Sequence, residues 1–238
     1  MKPGCDDTAI PAPASMAFTS MFFDPAGTLE RLRDRPRWFL PLLIAGAYSV
    51  TVNFYVISRV GLPRLIRATL EANSAFDPQA VLETAMARSG QILFLQGLST
   101  FAGTFLASFA VAQVLWLILS VLGREASHRS VLSVVAHATL LTAVLKGSML
   151  ALTATLMRDM SGFDLRCPLA TNPAFFVRPD SPVAFRCLAA LDALVLVQIA
   201  MIALGLSKVA EGLTFRAALL LVLAPWVVYT GISVLLPL

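Results

Sequence analysis

An all-α integral membrane protein, a bundle of five transmembrane helices with short interfacial helices, is the fold class that three features of the sequence predict. Hydrophobic residues make up 58% of the 238 and charged residues only 13%, where a soluble domain averages about 25% charged. Mean hydropathy is +0.79. The apolar residues also fall in five long runs, and a bilayer core about 30 Å thick needs roughly 20 such residues at 1.5 Å each. Five buried helices of a soluble protein would leave too little polar sequence to clothe them.

The spans are placed at about 38–57, 98–122, 131–157, 187–207 and 217–237, in a membrane domain covering 22–238. Trp38 stands at the edge of the first span as an interfacial anchor. Residues 89–123 carry no charge, more than a span requires. This run begins as an interfacial turn around 91–97 or tilts strongly. Residues 1–21 are expected to form a disordered cytoplasmic tail. Its first part is polar and proline-containing with no apolar signal core, and Cys5 is read as a thiol on that tail.

Orientation follows from basic residues. Arg31, Arg33, Arg35 and Arg37 lie directly before the first span, which favours a cytoplasmic N-terminus and, with five spans, a C-terminus outside. The inner segments then hold nine Lys/Arg and the outer ones eight, Lys146 being the eighteenth. The density of the first cluster decides, rather than the totals. The formal charge of +4 and pI near 9.3 do not point to nucleic acid, because the basic residues are dispersed without interleaved aromatics.

Three polar segments flank the spans. Around residues 24–34, Asp24 can cap a short helix that Pro25 opens and Pro36 stops. Leu29 and Leu32 share one face of it, so the helix is expected in the headgroup region, as a lead-in to span one or a docking surface. Residues 61–88 have helical spacing, with a second cap-then-proline start at Asp77-Pro78, and suggest a small helical hairpin on the outer face. Residues 158–186, with Pro168, Pro173, Pro179 and Pro182, are expected to form an irregular outer loop. Cys167 and Cys187 flank its later part. They could be joined by a disulfide on an oxidising face, worth about 3 kcal/mol in the chain-entropy model, or be two unrelated thiols.

Two charges fall inside spans. A mid-bilayer charge costs at least about 2.5 kcal/mol, so Lys146 in span three and Asp192 in span four call for a partner. Counted from the outer ends of their spans, they differ in depth by roughly 8 Å, which a snorkelling lysine can cover. An interhelical ion pair between them is expected, as a structural tie or as part of a proton or ion relay. Span three also carries small residues every four positions, Thr139, Ala143, Gly147, Ala151 and Thr155, a stripe for close helix packing within the bundle or a dimer face.

Other chemistry finds little support. His128 and His137 are nine residues apart, too far for one helical turn to hold a metal between them. His137 and Ser148 share a face but stand about 16 Å apart along a helix, beyond hydrogen-bond reach. No phosphate loop, paired acidic cluster or cofactor motif is present. No catalytic, cofactor-binding or metal residue is assigned.

The segment Arg35-Pro36-Arg37-Trp38-Phe39-Leu40-Pro41-Leu42-Leu43, and the stretch from Leu191-Asp192 through Ala203-Leu204-Gly205-Leu206 to Phe215-Arg216-Ala217, resemble the Yip1 family, in particular its bacterial branch. The resemblance covers roughly residue 22 to the C-terminus. It implies a five-helix bundle in a cell membrane, here a bacterial inner membrane, and no catalytic residues. For eukaryotic members it implies vesicle traffic through Rab GTPases, but the Asp-Leu-x-Gly-Pro motif of those members is absent, so that role is not carried over. An aromatic common in span four of bacterial relatives is replaced around Val197-Gln198. The expectation is therefore a non-enzymatic multi-pass protein that organises membrane lipids, partner membrane proteins or copies of itself. The alternative is a small transporter, channel or lipid-moving protein working through Lys146 and Asp192.

Overall fold

The computed structural model describes Met21 and residues 23–72, 78–159, 163, 167–176 and 181–235. The regular elements among them are helices, with no strand. Four helices are long and apolar enough to cross a membrane, and a bent pair makes a fifth span if its halves are counted together. The protein is an all-α integral membrane bundle.

The chain enters through α1 (Pro25–Arg31), and its start follows local chemistry. The Asp24 carboxylate accepts a hydrogen bond from Gly27 N at 3.0 Å, and Pro25 occupies a position whose N–H would have had no helical partner. Leu29 and Leu32 are buried, at 0% and 5% exposure. The apolar face of α1, expected to rest on lipid, is buried against protein instead. It enters the core because α6 and α8 leave a slot between them at this end. Met21, assigned by sequence to a disordered tail, is buried in the same core; residues 1–20, with Cys5, lie outside the described residues.

Helix α2 (Phe39–Val60) is the first span. It ends at Gly61, whose φ of +86° disfavours any residue with a Cβ. There the chain turns into the expected hairpin, α3 (Leu62–Ala72) and α4 (Pro78–Ala87). Asp77, the expected cap, lies outside the described residues. Helix α5 (Ser89–Val121) runs unbroken for 33 residues, about 50 Å at 1.5 Å per residue. No turn interrupts it at 91–97, so its surplus length is carried by tilt or by projection beyond the bilayer. Most of its surface is left for lipid, with Leu95, Leu106 and Leu117 exposed.

Helix α6 (His128–Leu156) is the hub, packed against α2, α5 and α8. Ser127 caps it by accepting from Ser130 N at 3.0 Å. At its other end Arg59 of α2 donates to the carbonyls of Ala154 and Met157, both at 3.2 Å, satisfying groups that a helix C-terminus leaves open.

The expected span at 187–207 is not one helix. It divides into α7 (Pro182–Ala190) and α8 (Ala193–Val209), bent by 45° at Leu191-Asp192. The outer loop correspondingly ends earlier than expected, since Pro182 already opens α7 behind a Ser181 cap. Helix α9 (Phe215–Leu235) completes the bundle beside α8.

Two cores hold these helices. The larger joins Leu29 and Leu32 to Leu115, Val131, Val134, Ile202 and Leu206 at the α1 end. The smaller, Val52, Val56, Val60, Ala154 and Phe163, lies towards the opposite end. Every residue from Val131 to Ala138 is buried, so the first half of α6 runs through closed packing. Ion pairs join the α1 segment to the end of α8, Glu30 with Lys208 at 3.7 Å and Arg33 with Glu211.

Candidate functional site: a polar cavity at the broken helix

The break at Asp192 builds a structured polar site. A helix start leaves backbone N–H groups open, and the Asp192 carboxylate closes one of them: Oδ1 accepts from Leu194 N at 2.9 Å. The next N–H, that of Ala193, donates to the Thr171 carbonyl at 3.0 Å. Asn172 ties the same loop to α7, donating from Nδ2 to the Ala189 carbonyl at 2.6 Å while its Oδ1 accepts from Ala174 N at 2.8 Å.

The remaining carboxylate oxygen of Asp192 faces Lys146, with Nζ to Oδ2 at 3.9 Å. The structure therefore brings together the two charges singled out in the sequence, but not as an ion pair between two continuous spans. Asp192 is first a helix cap and second a partner for lysine. Its side chain is 12% exposed and that of Lys146 is 55% exposed. At this length and exposure the attraction is weak, and Lys146 is held loosely.

Behind the pair opens a cavity of about 570 Å³ between α6, α7, α8, α9 and the 167–172 loop. Its polar lining includes Lys146, Arg186, Asp192, Tyr229 and Thr230, and its apolar wall includes Val195, Trp226 and Val234. Neither His137 nor Gln198 reaches it. Gln198 instead donates to Thr139 at 3.4 Å, and His137 Nδ1 lies 2.8 Å from the Ser133 carbonyl one turn back.

The small-residue stripe on α6 serves contacts within the chain. Positions four apart advance by about 40° on a helix of 3.6 residues per turn, so Thr139 and Thr155 point in very different directions. Thr139 meets Ser108 of α5 at 3.3 Å and Gln198 of α8, whereas Thr155 meets the Tyr55 hydroxyl of α2 at 2.8 Å. Between them Gly147 is buried against Tyr48 and Val52 of α2, where an added Cβ would lie 3.2 Å from Val52 Cγ2. Ala143 and Ala151 are half-buried between these contacts.

Cys167 and Cys187 are not bonded to each other. Arg186, Ala189 and Ala190 put one face of α7 on the cavity, which Cys167 also lines. Cys187 sits about 100° round the helix from Arg186 and is exposed. The two thiols thus occupy different sides of α7.

Ser148 is engaged by the Tyr48 hydroxyl at 2.8 Å, away from His137, and His128 packs edge-on against Trp116. Among the described residues no three His, Cys, Asp or Glu side chains cluster as a metal site would need. Compared with protein-family models, curated proteins and solved structures, the chain finds no match.

Sequence reasoning missed Arg186, Tyr229 and Thr230. The last two carried a readable signal: adjacent hydroxyl side chains, with Ser233 beyond them, in an uncharged final span. Arg186 carried none, since an arginine at the end of a loop is ordinary.

Proposed function

We propose that this is a non-enzymatic multi-pass membrane protein that organises lipids or partner proteins, and that the cavity at Asp192 is where it meets them. The observation that carries this reading is the asymmetry of the bundle. Polar space lies behind the α7–α8 break, while Val131 to Ala138 and the inserted Leu29 and Leu32 close the other end. A path for solute needs polar groups on both sides of such a barrier, whereas a binding pocket does not.

The proposed setting is a bacterial inner membrane with the N-terminus in the cytoplasm and the cavity in the outer half. Support comes from Arg31, Arg33, Arg35 and Arg37 before α2. Support for a Yip1-like assignment comes from the segments around Trp38 and from Leu191 to Ala217.

A second reading, a transporter or lipid-moving protein, draws on one observation: Lys146 is half exposed at the cavity and weakly held by Asp192. Proteoliposomes separate the two. Proton flux and the scrambling of a fluorescent phospholipid are measured for wild type and Asp192→Asn against protein-free liposomes. Organisation predicts background rates in both proteins. Flux in wild type that Asp192→Asn abolishes would overturn it in favour of transport.

A further inference from the structure

We infer that the cavity behind Asp192 binds a singly charged phosphate group, and that the phosphodiester of an anionic phospholipid headgroup is the source that fits it. The inference rests on the reading of this cavity as a binding site and adds the class of ligand.

Charge is the first argument. Among the described residues, two cations, Lys146 and Arg186, line the cavity against one carboxylate, Asp192. That carboxylate is already committed, through Oδ1 to the start of α8 and through Oδ2 to Lys146. One positive charge is left over, and a group of charge about −1 balances it. An excess of one sign of charge in a concave site with an apolar wall raises the local concentration of the opposite ion.

Donors are the second. Arg186 has no ion pair or side-chain hydrogen bond among the described residues, and the same holds for the hydroxyls of Tyr229 and Thr230. A guanidinium offers paired donors in a plane that matches two phosphate oxygens. Lys146 supplies a mobile point charge and need only swing from a contact of 3.9 Å.

The apolar wall separates a lipid from free phosphate. It is formed by Val195, Trp226 and Val234. At the rim of the cavity on α9, Val227 and the ring of Tyr229 are exposed, where the bundle meets acyl chains. A phospholipid can place its phosphodiester on Arg186 and Lys146 and run its chains along this surface. Inorganic phosphate would leave the apolar wall unused.

The test uses the full-length protein in detergent, titrated separately with dioleoyl phosphatidylglycerol, dioleoyl phosphatidylcholine and inorganic phosphate, with native mass spectrometry counting bound molecules. Phosphatidylglycerol should bind well above phosphatidylcholine, and inorganic phosphate should neither bind nor compete at millimolar concentration. Arg186→Gln should weaken phosphatidylglycerol binding about tenfold, the loss expected for one charge-assisted contact. Thr230→Val, which keeps shape and all charges, should weaken it by a smaller factor. Arg88→Gln, an exposed arginine outside the cavity, should leave it unchanged. Competition by inorganic phosphate, sensitive to Arg186→Gln, would keep the phosphate site and assign it a soluble source. Equal binding of both lipids, or preference for phosphatidylglycerol that Arg186→Gln and Thr230→Val leave intact, would overturn the inference. Because nothing here is read from flux, its failure is distinguishable from failure of the non-transport reading.

Discussion

Leu29 of α1 and Gly205 of α8 are in direct contact: a Cβ on Gly205 would lie 3.2 Å from Leu29 Cδ2, and closer still to Val134 of α6. Three helices meet at this glycine. It lets α1 insert Leu29 between two spans and close that end of the bundle.

Replacing Gly205 should therefore separate α1 from α8. Gly205→Leu forces side-chain atoms into filled space, and overpacking of this kind costs about 1–3 kcal/mol. The thermal midpoint in detergent should fall, and limited trypsinolysis at Arg31 and Arg33 should quicken. Gly205→Ala combined with Val134→Ala should recover most of the loss of Gly205→Ala alone, because Val134 is the nearest obstruction. Absence of recovery would mean that the contact is not what makes the glycine necessary.

The ion pairs over the same junction should matter far less. Side chains of Glu30 and Lys208 are 67% and 37% exposed, and those of Arg33 and Glu211 are 49% and 60% exposed. Exposed pairs are worth about 0–1 kcal/mol. A double-mutant cycle on Glu30→Gln and Lys208→Gln should return a coupling below about 1 kcal/mol, whereas Leu29→Ala should cost about 2–5 kcal/mol. The burial of Leu29, not the charges, seats α1.

At the other end, variants of Asp192 should distinguish the cap from the ion pair. Asparagine caps a helix nearly as well as aspartate and carries no charge. Asp192→Asn should therefore unfold close to wild type, while Asp192→Ala should lose about 1 kcal/mol. Lys146→Met should be nearly neutral, since the exposed lysine contributes little. Equal losses for Asp192→Asn and Asp192→Ala would show that charge outweighs capping.

Thiol chemistry checks the arrangement of α7. In a Cys5→Ser background, Cys187 should react with maleimide in detergent well ahead of buried Cys167. Non-reducing electrophoresis after mild oxidation should show no intramolecular band shift. A shift would place the two sulfurs together.

How far the sequence reveals this molecule depends on how local each cause is. Spans α2, α5 and α9 follow from long uncharged runs and α6 from one broken only by Lys146, and α1 begins where Asp24 and Pro25 say it should. The break at Asp192 is different: a single aspartate interrupts the apolar run, too briefly to register as a break. Its carboxylate then reads as a charge inside a span and not as a cap. Depth along two helices can suggest that Lys146 lies near Asp192, but cannot show that one oxygen is reserved for Leu194 N. Leu29 and Leu32 illustrate a second ambiguity. An apolar helix face fits a lipid surface or a protein slot equally well, and only the approach of α6 to α8 decides. The phases of Arg186, Tyr229 and Thr230 relative to one cavity depend on the 45° bend, which no pattern in the chain encodes visibly.

Polar space lies at one end of the bundle and closed packing at the other. Side-specific cysteine accessibility in oriented proteoliposomes measures this most directly, using Thr230→Cys and Ser133→Cys in a background with Cys5, Cys167 and Cys187 changed to serine. A charged, membrane-impermeant thiosulfonate should modify Thr230→Cys from one side only and Ser133→Cys, at 0% exposure, from neither. Modification of Ser133→Cys from either side, or of Thr230→Cys from both, would contradict the closed barrier.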